Sequence, residues 1–168
     1  MAHVRDVMAY ICDHYPHKHE LSNSRLTKMI YLADWKSAIE RRQTITNLDW
    51  KFDRYGPYVD TVAEIAREDP AFNFRRTING LGNRKNVISL KNVDVERFER
   101  YEIDSEERKM LNHVIDATNK LNYDEFIKLV YSTYPVLTSA RGTFMDLIRA
   151  ANEYTKQRRL ASGEKVTS

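Results

Sequence analysis

The sequence is poor in the features on which most chemistry is built. One cysteine, Cys12, stands among 168 residues, so no disulfide can close within the chain and a reducing, cytoplasmic setting is expected. No apolar run approaches the roughly 20 residues of a membrane helix, so no membrane association is expected. The start, Met1-Ala2-His3-Val4-Arg5-Asp6, lacks the basic then apolar pattern of a signal peptide. Charge of one sign is also missing. The 27 basic and 24 acidic residues leave a net charge of +3, a balance that does not by itself point to nucleic acid. No internal repeat, low-complexity segment or linker divides the chain. One domain over 1–160 is expected, with a small polar tail, 161–168, that frays.

Catalytic motifs are missing too. There is no Gly-x-Ser-x-Gly elbow, and Cys12 has no basic surroundings to favour a thiolate. Asn79-Gly80-Leu81-Gly82-Asn83 joins strands and lacks the strand-to-helix context and the Lys-Ser/Thr of a phosphate loop. Cys12, His14, His17 and His19 are close in sequence. However, Cys12 belongs to an apolar helical stripe, His14 points elsewhere, and the other two fall in a polar turn. Zinc needs four converging ligands, so a core cysteine beside a solvated turn is expected. Asp49, Asp53 and Asp60 are carboxylates near one strand, but nothing supplies the outer shell a metal nuclease needs. No catalytic residue, cofactor or metal is expected.

What the chain does have is helical periodicity. Val4, Val7, Met8, Ile11, Cys12 and Tyr15 form one stripe, ended by Pro16. Ser22 or Asn23 can cap a helix over about 24–41. Leu26, Met29, Ile30, Ala33 and Ser37 line one face of it, and Leu32, Trp35 and Ile39 another, the mark of a central helix. Leu48, Trp50 and Phe52 then alternate with charged residues as a half-buried strand. Pro57 is placed in the first turn of a helix running to about Glu68. Phe72, Phe74 and Ile78 pair across the Asn79–Asn83 turn with Val87-Ile88-Ser89-Leu90 as a hairpin. Asp104 with Glu107, and Asn122 with Glu125, read as capping boxes. The first starts the stripe Met110, Leu111, Val114, Ile115, Thr118 and Leu121. The second starts Phe126, Leu129, Val130 and Tyr134, ended by Pro135. Phe144, Leu147, Ile148, Ala151 and Tyr154 form the last stripe. The fold class is mainly α (α+β), with about six helices around a small antiparallel β-sheet or hairpin.

Two groups of surface chemistry remain. Arg75, Arg76, Arg84 and Lys85 flank the hairpin and could form one basic patch meeting a phosphate backbone, although charge on an edge strand also simply deters aggregation. Ten tyrosines and two tryptophans are many for this length. Trp50, Tyr55 and Tyr58 surround one tight turn, while Tyr131, Tyr134 and Pro135 surround another. Such rings anchor interfaces but also close cores.

The string Leu26-Thr27-Lys28-Met29-Ile30-Tyr31-Leu32-Ala33-Asp34-Trp35 resembles the second helix of the Panacea domain of SocA-like antitoxins. Trp50-Lys51-Phe52-Asp53-Arg54-Tyr55-Gly56-Pro57-Tyr58-Val59 is similar to the family's aromatic strand leading into Tyr-Gly-Pro. Tyr131-Ser132-Thr133-Tyr134-Pro135 is similar to its later Tyr-x-x-x-Pro helix end. The resemblance spans about 3–150, with much of 69–100 unmatched. It implies an antitoxin that neutralises a neighbouring-gene protein toxin by direct contact. It also implies that the Tyr-Gly-Pro turn is a structural or binding hub without an enzymatic role. Gly56 and Pro57 would shape the backbone, with Tyr31, Trp50, Arg54, Tyr55 and Tyr58 gathered near the turn. A nucleic-acid-binding regulator using the basic hairpin and a proteolytic adaptor are the alternatives.

Overall fold

The computed structural model describes residues 1–78, 80–91 and 102–163. Among these, seven α-helices surround two small antiparallel hairpins, the mainly α architecture that the periodicities predict. The helices α1 (Val4–His14) and α2 (Asn23–Arg41) are followed by β1 (Lys51–Asp53), β2 (Gly56–Tyr58) and α3 (Thr61–Glu68). The second hairpin, β3 (Phe72–Ile78) and β4 (Arg84–Leu90), comes next, then α4 (Ser105–Thr118), α5 (Tyr123–Tyr131), α6 (Tyr134–Thr138) and α7 (Leu147–Ala161). Asn79 of the expected turn, and 164–168 of the expected tail, lie outside the described residues. No helix among the described residues is long and apolar enough to cross a membrane.

The centre is α2. The Ser22 hydroxyl accepts from Arg25 N at 3.1 Å and caps its start. From Leu26 through Trp35 every residue is buried, because α1, α4 and α7 pack around it. Arg42 takes the left-handed conformation, φ 57°, that turns the chain back. The Ser37 hydroxyl then donates to Gln43 O at 2.7 Å, holding the returning segment against the helix. Both capping boxes form, with reciprocal bonds between Asp104 and Glu107 and between Asn122 and Glu125.

Three sequence expectations are corrected. Pro57 does not open a helix. It lies in β2 opposite Phe52, and α3 begins four residues later at Thr61. Phe52 turns its own backbone the other way: its N–H donates to Thr143 O at 2.9 Å, and its C=O accepts from Gly142 N. The Phe52–Pro57 pair is therefore a non-hydrogen-bonded one, and the missing proline N–H breaks no ladder bond. Pro135 does not end the helix carrying Phe126 and Val130. Instead α5 stops at Tyr131 and Pro135 occupies the first turn of α6, where a missing N–H costs nothing. Phe144 precedes α7 and bridges Lys51 of β1 instead, with 71% of its surface exposed.

Candidate functional site

The strongest local chemistry in the core belongs to Asp34, in the middle of α2 and fully buried. Its carboxylate accepts from Ile45 N at 2.9 Å, Thr46 N at 2.9 Å, the Thr46 hydroxyl, and Trp50 Nε1 at 2.8 Å. Burial pushes this carboxyl up to about 6, and the four donors hold the rise back. One side chain thus pins the 45–50 segment to α2 and delivers Trp50 to the base of the first hairpin. Reading the sequence for apolar stripes passes over Asp34; the available signal was a carboxylate inside an otherwise apolar helical decade.

Trp50 packs edge-on against Tyr31, with centroids 5.5 Å apart and planes at 76°. Both rings are buried. The Tyr31 hydroxyl meets Thr133 Oγ1 at 2.8 Å, and burial pushes this phenol well above its ordinary value. The hairpin grows out of this pair. Gly56 has φ +102° and closes the Arg54-Tyr55 turn in a conformation that L side chains rarely adopt. A Cβ there would lie 3.2 Å from Tyr131 Cε2 and 3.5 Å from Lys28 Cε. Gly56→Ala is expected to lower stability by about 1–3 kcal/mol through left-handed strain and this contact, read as a shift of the urea midpoint. An unchanged midpoint would remove the backbone role given to Gly56.

The residues expected near the turn therefore separate by depth. Tyr31, Trp50, Gly56 and Pro57 are buried. Arg54 and Tyr55 form a second pair at the tip, with the guanidinium 5.4 Å from the ring centroid, and Tyr55 is 68% exposed. Tyr58 lies between these extremes, half-buried, its phenol raised by burial and by Asp60.

The four basic residues of the second hairpin do not make one patch. Arg75 faces Val87 and Thr77 faces Lys85 across the ladder, while Arg76 faces Asn86 and Ile78 faces Arg84. Successive side chains alternate between the faces of a strand. Arg75 and Lys85 therefore share one face, and Arg76 and Arg84 share the other. Ile88 on β4 is buried and donates its N–H to Leu21 O at 3.0 Å, which docks this hairpin against the segment before α2.

The remaining candidates stay apart. Cys12 is buried, and burial pushes its thiol up to about 12. His14 stacks on Tyr10, with centroids 4.0 Å apart, while His17 and His19 are exposed. Asp49, Asp53 and Asp60 do line one open cleft, together with Glu64 and Phe144. Among the described residues, however, no three His, Cys, Asp or Glu side chains are grouped closely enough to hold a metal ion.

No curated protein and no solved structure matches this chain. The family model described as "Antitoxin SocA-like, Panacea domain" matches residues 26–135. That stretch holds the Asp34 hub, both hairpins and the helices through the start of α6, and it falls within the 3–150 span of the resemblance. It covers well over half of the 168 residues, and the chain accordingly belongs to the SocA-like antitoxin, Panacea-domain family.

Proposed function

We propose that this protein is an antitoxin that neutralises a partner protein toxin by direct binding in the cytoplasm, with no catalytic step of its own. The family match over 26–135 carries this reading. The chain's one cysteine, Cys12, is buried, and a sequence with no disulfide framework suits a cytoplasmic setting. The toxin is expected from the neighbouring gene.

The first hairpin is the preferred contact surface. Tyr55 at its tip and Phe144 on the segment paired with β1 expose large rings, at 68% and 71%. Phe144 also borders the cleft lined by Asp49, Asp53, Asp60 and Glu64. Rings beside carboxylates suit a partner surface that offers an apolar pocket with basic residues around it.

Co-expression tests this. The neighbouring gene product should arrest growth alone and be harmless beside this chain. Tyr55→Ala with Phe144→Ala should weaken the complex about tenfold or more while changing stability by no more than about 0.5 kcal/mol. Trp50→Ala should instead cost about 3–5 kcal/mol of stability, as a core ring does. A neighbour that is harmless on its own, or toxic regardless of co-expression, would count against the antitoxin reading. Full neutralisation by the Tyr55/Phe144 double variant would move the contact surface elsewhere.

A further inference from the structure

The second hairpin concentrates charge of one sign. From Ala71 to Leu90 the sequence has four cations, Arg75, Arg76, Arg84 and Lys85, and no Asp or Glu. The remainder of the chain has no positive excess, so the net charge of +3 originates in this hairpin. Among the described residues, none of the four cations is within ion-pairing distance of a carboxylate.

The backbone of β3 supplies a second observation, independent of the charge. Lys91 N donates to Ala71 O at 2.9 Å, one pair beyond Phe72 and Leu90 in the same register. Hydrogen-bonded and non-hydrogen-bonded pairs alternate along an antiparallel ladder. Asn73, Arg75 and Thr77 therefore bond to β4, while Phe72, Phe74, Arg76 and Ile78 turn their N–H and C=O outward. Two outer bonds have the same phase: Phe72 N donates to Asp69 O, and Ile88 N donates to Leu21 O. The outer edge of β4 is thus docked on the segment before α2. On the outer edge of β3, the backbone N–H and C=O groups of Phe74, Arg76 and Ile78 bond to no other described residue. Arg75, Arg76 and Ile78 are exposed, Ile78 at 68%.

An open strand edge is a template for another strand, and charge decides which strand. A second copy laid antiparallel and centred on the two arginines would set Arg75 and Arg76 against their own copies, and like charges directly opposite are destabilising. A nucleic-acid backbone offers phosphate acceptors and would leave the edge carbonyls unmet. An acidic strand satisfies both the backbone row and the guanidinium groups.

We propose that the outer edge of β3 binds an extended acidic segment of a partner protein by strand addition. Arg75 is on one face of the strand, and Arg76 and Ile78 are on the other. A segment running antiparallel to β3 therefore sets an apolar residue beside Ile78, then any residue beside Thr77, then two consecutive carboxylates beside Arg76 and Arg75. Edge charge that deters aggregation also selects the partner here. It repels basic strands, the protein's own copy included, and attracts this one. This surface is separate from the first hairpin and from toxin neutralisation, and its test uses the full chain alone.

An NMR titration of the full chain with the blocked peptide Thr-Val-Thr-Glu-Glu-Val-Thr checks the proposal. The peptide is expected to shift the amides of Phe74, Arg76 and Ile78 and, at saturation, to slow their exchange with solvent about tenfold. Three controls separate strand addition from charge alone. The same peptide N-methylated at both Val and at the first Glu, which removes the N–H groups facing β3, should not bind. The peptide with Lys in place of Glu should not bind either. Arg75→Thr with Arg76→Thr should weaken binding several-fold with an unchanged circular dichroism melt. Any of three results would overturn the proposal: no shifts up to about 5 mM peptide, equal binding of the N-methylated peptide, or a single-stranded dT oligonucleotide moving the same amides at lower concentration than the peptide. The last of these would make the hairpin a nucleic-acid surface.

Discussion

Asp34→Ala is expected to destabilise the protein by about 3–5 kcal/mol, because it leaves several buried donors without an acceptor. The donors are Ile45 N, Thr46 N, the Thr46 hydroxyl and Trp50 Nε1. All four belong to the segment that leads from α2 into the first hairpin. The loss should therefore spread beyond a local cavity. Amide exchange should rise across 45–58, and Trp50 fluorescence should shift towards that of a solvated indole. Urea unfolding followed by both fluorescence and circular dichroism measures the cost; a change under about 1 kcal/mol would mean the hub is not what fixes the hairpin.

The same carboxylate gives a pH signature with a defined sign. Burial raises its folded pKa from 3.8 to about 6. Between these values the folded state holds the proton more tightly than the unfolded chain. Stability from this group is then full below about pH 4 and falls as pH rises through 6, by roughly 3 kcal/mol at 1.36 kcal/mol per unit. Asp34→Asn cannot titrate, so the difference between the two proteins should drift in the variant's favour across that window and level off above it. A difference that stays flat from pH 4 to 7 would show that the four donors cancel the burial effect.

How much of this was legible in the sequence depends on whether the information is local. An α2 cap at Ser22 or Asn23, the Asp104–Glu107 and Asn122–Glu125 boxes and the Phe72–Leu90 hairpin rest on bonds spanning a few residues or on strict alternation, so the residue types alone point to them, and the bond from Arg25 N selects Ser22 as the cap. Pro57 was misplaced because its neighbours do not decide its role. A proline after glycine fits a helix start or a non-hydrogen-bonded strand position equally well, and only the 142–143 segment, far along the chain, selects the second. Phe144 shows the same limit: its spacing continues the α7 stripe, but a bridge to Lys51 draws it out. Depth was the least legible property. Trp50 and Tyr55 lie five residues apart in one aromatic turn, and only the long-range bond to Asp34 sends the first inward while the second stays at the tip.

Lys28→Met is expected to make the protein more stable at pH 7, by about 1–3 kcal/mol, since an apolar side chain of similar length then replaces a buried ammonium that has no ion-pairing carboxylate among the described residues. The methionine keeps the stem packing beside Gly56 and Tyr131, and it forfeits the bond to Ser24, worth about 1 kcal/mol. Burial lowers the folded pKa of Lys28 from 10.5 to about 8. Between these values the unfolded chain binds the proton more tightly, so the cost is fully present below about pH 8 and fades as pH rises towards 10.5. The stability gap between Lys28→Met and the parent protein should therefore close on going from pH 7 to about pH 10, a comparison in which the other titrating groups cancel. A less stable variant at pH 7, or a gap that ignores pH, would show that the ammonium is well accommodated where it sits. The expected gain would instead identify a charge kept at the expense of stability.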